Sequence, residues 1–319
     1  MKVSTLLIRR MIVGLPTIGG IALMVFLVLL VMPGNPAELI QGEMVNPKVT
    51  EALIKQWGLD QPAPIRLMRW GQSVLRLDFG KSLVTGRPVS EMLAPRLGYS
   101  VYLGILGLLL GVVIGIPIGI LCAVRPNTWL DYMVTLAALF GLSLPVFVTA
   151  LILQLVFGFH WRIFPISGAP DSLLDIRGIR FAVLPALSVA GYQAAINARV
   201  VRTIMLEVIR GDYIRTAYSK GLTEIQAIVK HALPNVLIPV VTLLSVYMRS
   251  IIGGLLLVEI VFGWPGVGRL FYQAVLQRDY PVIQGVALII AIAIYVTNMI
   301  VDLLYAYLDP RIRVEAKLQ

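Results

Sequence analysis

Six stretches of about 20 or more apolar residues constrain this chain more than any other feature, because a helix needs about that length to cross a hydrocarbon layer ~30 Å thick. They lie at roughly 11–32, 98–124, 132–158, 181–204, 236–262 and 282–308. Within a bilayer no water is at hand to satisfy backbone N–H and C=O groups, so each stretch must close its own hydrogen bonds as a helix. The sequence thus predicts an all-α integral membrane protein with six transmembrane helices. Composition agrees: 58% of the 319 residues are hydrophobic and 14% are charged, against about 25% charged in soluble domains. In such a chain the net charge of +10 reads as basic loops against anionic headgroups, not as a nucleic-acid surface. Lys2, Arg9 and Arg10 ahead of the first stretch imitate a signal peptide. That stretch is too long for an h-region and no small-residue cleavage site follows, so it reads as a retained helix.

Six crossings place both termini on one side. Lys and Arg outside the apolar windows, together with Arg202 at the inner end of the fourth and with the long 33–97 loop set aside, number twelve on the side of the termini and five on the other. The positive-inside bias then puts both termini, and the polar segment 211–234, in the cytoplasm. The division expected is an N-terminal transmembrane helix (1–32), an extracytoplasmic loop or cap (33–97), a five-helix core (98–308) that includes 211–234, and a cytoplasmic tail (309–319). Helical apolar spacing at Val49–Trp57 and Ile65–Leu77 makes the cap a small helical insertion. A docking surface and a plain lid over the bundle are equally compatible with it.

The segment Gly211–Pro234 carries helix punctuation between two apolar runs. Asp212 is placed to cap a first short helix, Gly221 to end it in the left-handed region, and Thr223 with Gln226 to open a second as a capping box. Apolar residues at Ile214, Ala217 and Tyr218, then at Ile225, Ile228, Val229, Ala232 and Leu233, give each helix one apolar stripe. Arg215, Lys220, Glu224 and Lys230 hold the unit in water, and Pro234 closes it. A helix-turn-helix on a membrane face calls for a protein partner.

Arg215-Thr216-Ala217, Lys220-Gly221-Leu222 and Leu233-Pro234 together resemble the coupling ("EAA") loop of ABC importer permeases, with Arg215 and Thr216 in place of the consensus Glu and Ala. Further matches run along almost the whole chain: Pro33-Gly34-Asn35-Pro36, Asp78-Phe79-Gly80, Ser143-Leu144-Pro145, Trp264-Pro265-Gly266-Val267-Gly268, Arg278-Asp279-Tyr280-Pro281 and Asp309-Pro310-Arg311. The chain is accordingly similar to the permeases of binding-protein-dependent dipeptide, oligopeptide and nickel importers. That resemblance implies the type I ABC importer permease fold in a bacterial cytoplasmic (inner) membrane. It further implies a heterodimer with a second homologous permease, an extracytoplasmic solute-binding protein, and two cytoplasmic ATPase subunits that grip Asp212, Arg215, Thr216, Ala217, Lys220, Gly221, Leu222, Leu233 and Pro234. ATP and magnesium would be held by those ATPases, with no cofactor in this chain. Small peptides are the expected cargo, and a complexed nickel ion is the alternative.

Within the apolar windows, Gly107, Gly111, Gly115 and Gly119 recur every four residues and mark a groove for close helix packing. Pro117, Pro145 and Pro185 are expected to bend their helices. Arg199, Arg249, Glu259 and Asp302 are ionisable at or near membrane depth and are candidates for the translocation pathway. Arg199 has snorkelling to the headgroups as its other reading, Glu259 the holding of an outer turn, and Asp302 a shared face with Asn298. Tyr192, Gln193 and Asn197 either line a polar path or bond a neighbouring helix. Cys122, the only cysteine, reads as a small buried apolar residue.

Enzymatic chemistry has little footing. Gly80-Lys81-Ser82 lacks the leading glycine of a Walker loop, and two histidines without a zinc or serine-hydrolase motif offer neither triad nor metal site. A secondary transporter, the main rival class, is expected to show internal repeats, and none is clear. The topology is directly testable: a reporter fused after Gln319 should read cytoplasmic and one inserted near Thr85 external, and reversed signals would refute the orientation.

Overall fold

A computed structural model of the chain describes residues 3–32, 34–41, 45–170, 172, 175 and 178–308. For residues 3–13, 39, 40, 238, 245, 249–253 and 302–308 it describes the backbone alone. The described residues fold almost wholly into helices, in two compact units: Met1–Ser100 with Pro265–Met299, and Val101–Trp264 with Ile300–Gln319. Five helical segments are long and apolar enough to cross a membrane, and a sixth if one bent pair counts as a single span.

The first unit holds α1 (Val3–Val31), α2 (Pro36–Gln41), α3 (Pro47–Trp57), α4 (Ala63–Leu75), the first turns of α5 (Val89–Val124), α12 (Val267–Gln277) and most of α13 (Tyr280–Leu308). The two amphipathic stretches expected after the first span are α3 and α4. Asn46 caps α3 by accepting from the Lys48 N–H, Pro47 opens it, and Gly58 in the left-handed region closes it, so three residues fix its length. Leu29, Val89, Leu93, Leu270, Val282 and Val286 centre the unit's core.

Beside that core, motifs far apart in sequence meet at one carboxylate. Asp279, 2% exposed, accepts from the Ser82 hydroxyl and from the Leu83 N–H at 3.0 Å. It thereby fixes the turn that follows Gly80, itself at φ +81°. Gly34, at φ +100°, packs so tightly on the Arg278 guanidinium that a Cβ would fall 1.2 Å from one of its nitrogens. The Ser100 hydroxyl accepts from the Val267 N–H at 2.9 Å and so satisfies one free donor at the start of α12.

The second unit contains the rest of α5, α6 (Trp129–Ser143), α7 (Val146–Leu153) with a π-helical continuation (Gln154–His160), α8 (Ile179–Ile209), α9 (Asp212–Ser219), α10 (Glu224–Ala227) with a π turn (Ile228–Ala232), and α11 (Leu233–Val261). Of the three prolines expected to bend helices, only Pro145 interrupts one. The window expected as a single helix over 132–158 is instead the pair α6 and α7, bent by 112°. Proline disfavours helical geometry in the residue before it; Leu144 (ψ 129°) and Pro145 (ψ 142°) are both extended, so the helix stops where a bend was expected. α5 and α8 run through Pro117 and Pro185 without a break.

The α5 glycine groove is filled by α8. A Cβ on Gly115 would lie 2.7 Å from the Ala194 carbonyl oxygen, and one on Gly119 2.6 Å from that of Ala198. At Gly111 it would meet the Gln193 side chain at 3.0 Å, and at Gly107 Val189 at 2.8 Å. The facing line on α8 is alanine at the same interval, Ala186, Ala190, Ala194 and Ala198, all buried. Asn197 uses the close approach to donate from Nδ2 to the Gly111 carbonyl at 3.2 Å. On another side of α8, Arg202 makes a two-pronged ion pair with Asp131 of α6, Nε to Oδ1 at 2.6 Å and the second nitrogen to Oδ2 at 2.7 Å. Asp131 also accepts from the Asn127 N–H, so its carboxylate is well satisfied although only 2% exposed.

Two expectations follow for the purified protein. Gly115→Ala and Gly119→Ala should each cost roughly 1–3 kcal/mol by overpacking against backbone, and Gly111→Ala less, because a glutamine side chain yields where a carbonyl does not. Gly111→Leu exceeds what Gln193 can yield and should lower assembly yield; thermal unfolding in detergent reads the order. Asp131→Asn should cost on the order of 3 kcal/mol by leaving Arg202 without its counter-ion, and an unchanged midpoint would make the ion pair incidental.

Candidate functional site: the α9–α10 turn

Helix α9 begins at Asp212, and its N-cap is Gly211, extended and without a side-chain cap bond. The cap expected from Asp212 is therefore not formed. The extended backbone ends one residue earlier, which places Asp212 in the first turn, where its charge meets the positive helix end. At the other end Gly221, at φ +82°, reverses the chain as expected. Its N–H donates to the Tyr218 carbonyl at 2.9 Å and the Leu222 N–H to that of Ala217 at 3.3 Å, the paired bonds of a Schellman motif. The capping box that opens α10 is complete: the Gln226 N–H donates to Thr223 Oγ1 at 3.4 Å, and Gln226 Oε1 accepts from the Thr223 N–H at 3.1 Å.

Behind the turn, Ile214, Ala217, Ala227 and Ala232 are buried. Ile214 and Ala232 join Ala123 of α5, Val201 and Met205 of α8, and Val236 and Val240 of α11 in one apolar cluster. Outward lie Asp212, Arg215, Thr216, Lys220, Gly221 and Pro234, while Leu222 and Leu233 are half-buried. Nothing stands within 4 Å of the position a Gly221 Cβ would take. Tyr218, Ile225 and Val229, expected on the buried stripe, are exposed instead. Tyr218 belongs to α9, whose buried residues are Ile214 and Ala217. In the second stretch the π turn breaks the 3.6-residue repeat, and the buried residues are Ala227 ahead of it and Ala232 at its end.

Pro234 does not close the unit. It lies in the first turn of α11, directly after the π turn, whose bond runs from the Leu233 N–H to the Ile228 carbonyl. The wider turn accommodates a residue that has no N–H and whose ring would press on the carbonyl four residues back. The second short helix is thus the beginning of a long one, apolar enough over Glu224–Met248 to count as a membrane span. Asn235 Nδ2 donates to the Tyr213 hydroxyl at 3.1 Å, a further link from α9 to α11.

The pathway candidates are distributed. Arg199 is exposed and lines a cavity of about 330 Å³ with Cys122, Thr135, Leu142, Arg202 and Thr203. Glu259 is 1% exposed and is not a wall of that cavity; its carbonyl accepts from the Trp264 N–H at 2.9 Å, which secures the turn ending α11. The side chains of Arg249 and Asp302 lie outside the described residues. The Asn298 side-chain oxygen is closed off from solvent without a donor among the described residues. Tyr192 stacks edge-on against Tyr247 at 6.4 Å, whereas Gln193 and Asn197 belong to the helix interface. The ion pair Asp131–Arg202 was not singled out from the sequence, although Thr128-x-x-Asp131 is a legible helix start. Among the described residues no group of three or more His, Cys, Asp or Glu side chains is placed to hold a metal ion.

Residues 115–314 match the family described as binding-protein-dependent transport system inner membrane component. Residues 3–104 match the N-terminal part of such membrane components. The chain is 35% identical over 326 residues to the dipeptide transport system permease protein DppB of Alkalihalophilus pseudofirmus, covering 96% of this chain and 98% of that one. It is 36% identical to the oligopeptide transport system permease protein AppB of Bacillus subtilis over 310 residues, with the same coverage of each chain. To the glutathione transport system permease protein GsiC of Salmonella paratyphi A it is 38% identical over 306 residues, again covering 96% and 98%. With the apolar helices, these matches make the chain a multi-pass inner membrane protein of the type I importer permease fold, and it belongs to the family of binding-protein-dependent transport system inner membrane components.

Proposed function

We propose that the chain is a permease subunit for small peptides, forming half of a translocation pathway with a second homologous permease and coupled to two ATPase subunits at the α9–α10 turn. The peptide reading rests on the names of its relatives, which are transport permeases for dipeptides, oligopeptides and glutathione. Both termini and the turn face the cytoplasm in this reading, on the strength of the Lys and Arg bias. ATP and magnesium are held by the ATPases, and this chain has no enzymatic site of its own. A solute-binding protein delivers the cargo on the opposite side.

The observation that carries the coupling role is that the turn is exposed in front and anchored behind. A partner that seats on Arg215, Lys220, Gly221 and Leu222 pushes on a helix whose Ile214 is buried in a cluster shared with α5, α8 and α11. Pulling Ile214 out of that cluster would cost about 1.5–3 kcal/mol, so α9 moves with the bundle. The uninterrupted path from α10 through the π turn into α11 gives the same push a second route. Closure of the ATPases on ATP then switches the pathway between its two accessible states.

The test separates coupling from folding. The Cβ of Gly221→Val meets no neighbour within 4 Å, so its main cost is backbone strain of about 1–3 kcal/mol in the turn. The variant should insert at near-normal abundance while ATPase subunits no longer co-purify, or no longer couple hydrolysis to uptake; Leu222→Asp should behave alike. Gly221→Asn, which tolerates the left-handed region, should restore coupling. Normal peptide-stimulated hydrolysis in Gly221→Val vesicles would remove the turn from the coupling path.

A further inference from the structure

We propose that the first unit contains an anion site for a phospholipid headgroup phosphate, built from Arg66, Arg69 and Trp70 of α4 against the end of α1. A cavity of about 170 Å³ opens there, below the ~300–1,000 Å³ of pockets that enclose whole small-molecule ligands. Its size suits a headgroup, not a peptide. Aromatic walls come from Phe26, Trp57, Trp70 and Tyr280, and Arg66 and Arg69 also line it, with no carboxylate among the walls.

The walls are arranged to leave cationic donors unspent. Trp70 stacks on Phe26 with ring centroids 6.4 Å apart, and the Arg66 guanidinium lies 6.0 Å from the same ring. That cation–π contact orients Arg66 without neutralising it. Neither guanidinium has a hydrogen bond or ion pair among the described residues. The Trp70 indole N–H is sealed from solvent without an acceptor, a state that costs about 1–3 kcal/mol unless an acceptor arrives. Two guanidinium forks call for a group that offers several acceptor oxygens and negative charge, which is the chemistry of a phosphate, and a small shift of the Trp70 ring on binding would give its closed-off, donor-only N–H one of those oxygens.

The source of that phosphate follows from the position of Phe26. It lies in the last third of the membrane-spanning segment Gly14–Val31, so the cavity adjoins the end of a span, where headgroups are found. Tryptophan, tyrosine and arginine together are the composition of that interfacial layer. A bound lipid would tie α4 to α1 through its phosphate, while its chains stay in the bilayer.

Lipid binding to the full-length chain, purified in neutral detergent with its co-purifying subunits, tests this by native mass spectrometry and by titration. Phosphatidylglycerol should bind in preference to phosphatidylcholine, whose choline cation the two arginines repel. Arg69→Gln should weaken phosphatidylglycerol binding about tenfold, the effect of losing one charged hydrogen bond. Trp70→Phe should weaken it less while keeping the stack on Phe26. Neither variant removes a side-chain hydrogen bond or ion pair made among the described residues, and circular dichroism should confirm an intact fold. Displacement of the lipid by millimolar inorganic phosphate supports the same anion site with free phosphate as an additional source, and lack of displacement assigns it to lipid alone. Equal affinity for the two lipids, or phosphatidylglycerol binding unchanged in Arg69→Gln and Trp70→Phe, overturns the proposal.

Discussion

The close approach of α5 and α8 is the contact on which the second unit depends. Helices in lipid gain nothing from hiding apolar surface, since the lipid is as apolar as leucine; they associate through dispersion contacts and hydrogen bonds that strengthen as backbones near each other. Glycine at every fourth position of α5 and alanine at every fourth position of α8 remove the atoms that would keep the two apart. With that distance set, Asn197 reaches a backbone carbonyl across the interface, and Arg202, one turn further on, meets Asp131 of α6. The same α8 packs on α7 and α11. An interface made of small side chains thus positions the helix on which α6, α7 and α11 also pack.

Much of this was legible in the sequence wherever a local rule sufficed. Hydropathy located the spans, because backbone groups in lipid have no alternative to helix. The four-residue glycine interval identified the groove, and Gly221 and Thr223-x-x-Gln226 placed the turn to the residue. The failures share a cause, which is that neighbours decided between local options. Asp212 and Gly211 are both acceptable caps, and the extended backbone that precedes α9 ends at the glycine. Pro145 ends its helix where Pro185 does not, although both sit in apolar runs. The alanine line on α8 had the same interval as the glycines, and only the structure brings the two lines face to face.

The first unit was legible in a different way. Its Gly34-Asn35, Asp78-Phe79-Gly80 and Arg278-Asp279-Tyr280-Pro281 segments stood out as letters of a resemblance, with no local reason for their identity. The reason is long-range. Asp279 fixes a loop almost 200 residues upstream, and Gly34, at φ +100°, lets the Arg278 guanidinium pack directly against its backbone. No periodicity or propensity carries such information, since each residue is specified by a partner remote in the chain.

The π turn ahead of Pro234 joins the two halves of the coupling argument. On a regular α-helix Ala227 and Ala232, five residues apart, would point about 140° away from each other, and burying both would require cover on two faces. Both are fully buried. The extra residue in the turn therefore does two things at once: it gives the proline ring room, and it brings Ala232 round toward the side of Ala227, so that both are buried and Ala232 joins the cluster shared with α5, α8 and α11. Val229, inside the wide turn, and Ile225, ahead of it, are both exposed, so the apolar stripe drawn through them at the 3.6-residue repeat is not the buried face. A continuous helix that turned at the standard pitch would have to choose between burying its start and burying its continuation. The wide turn removes that choice and lets one uninterrupted helix run from the exposed Gly221-Leu222 turn into a membrane span.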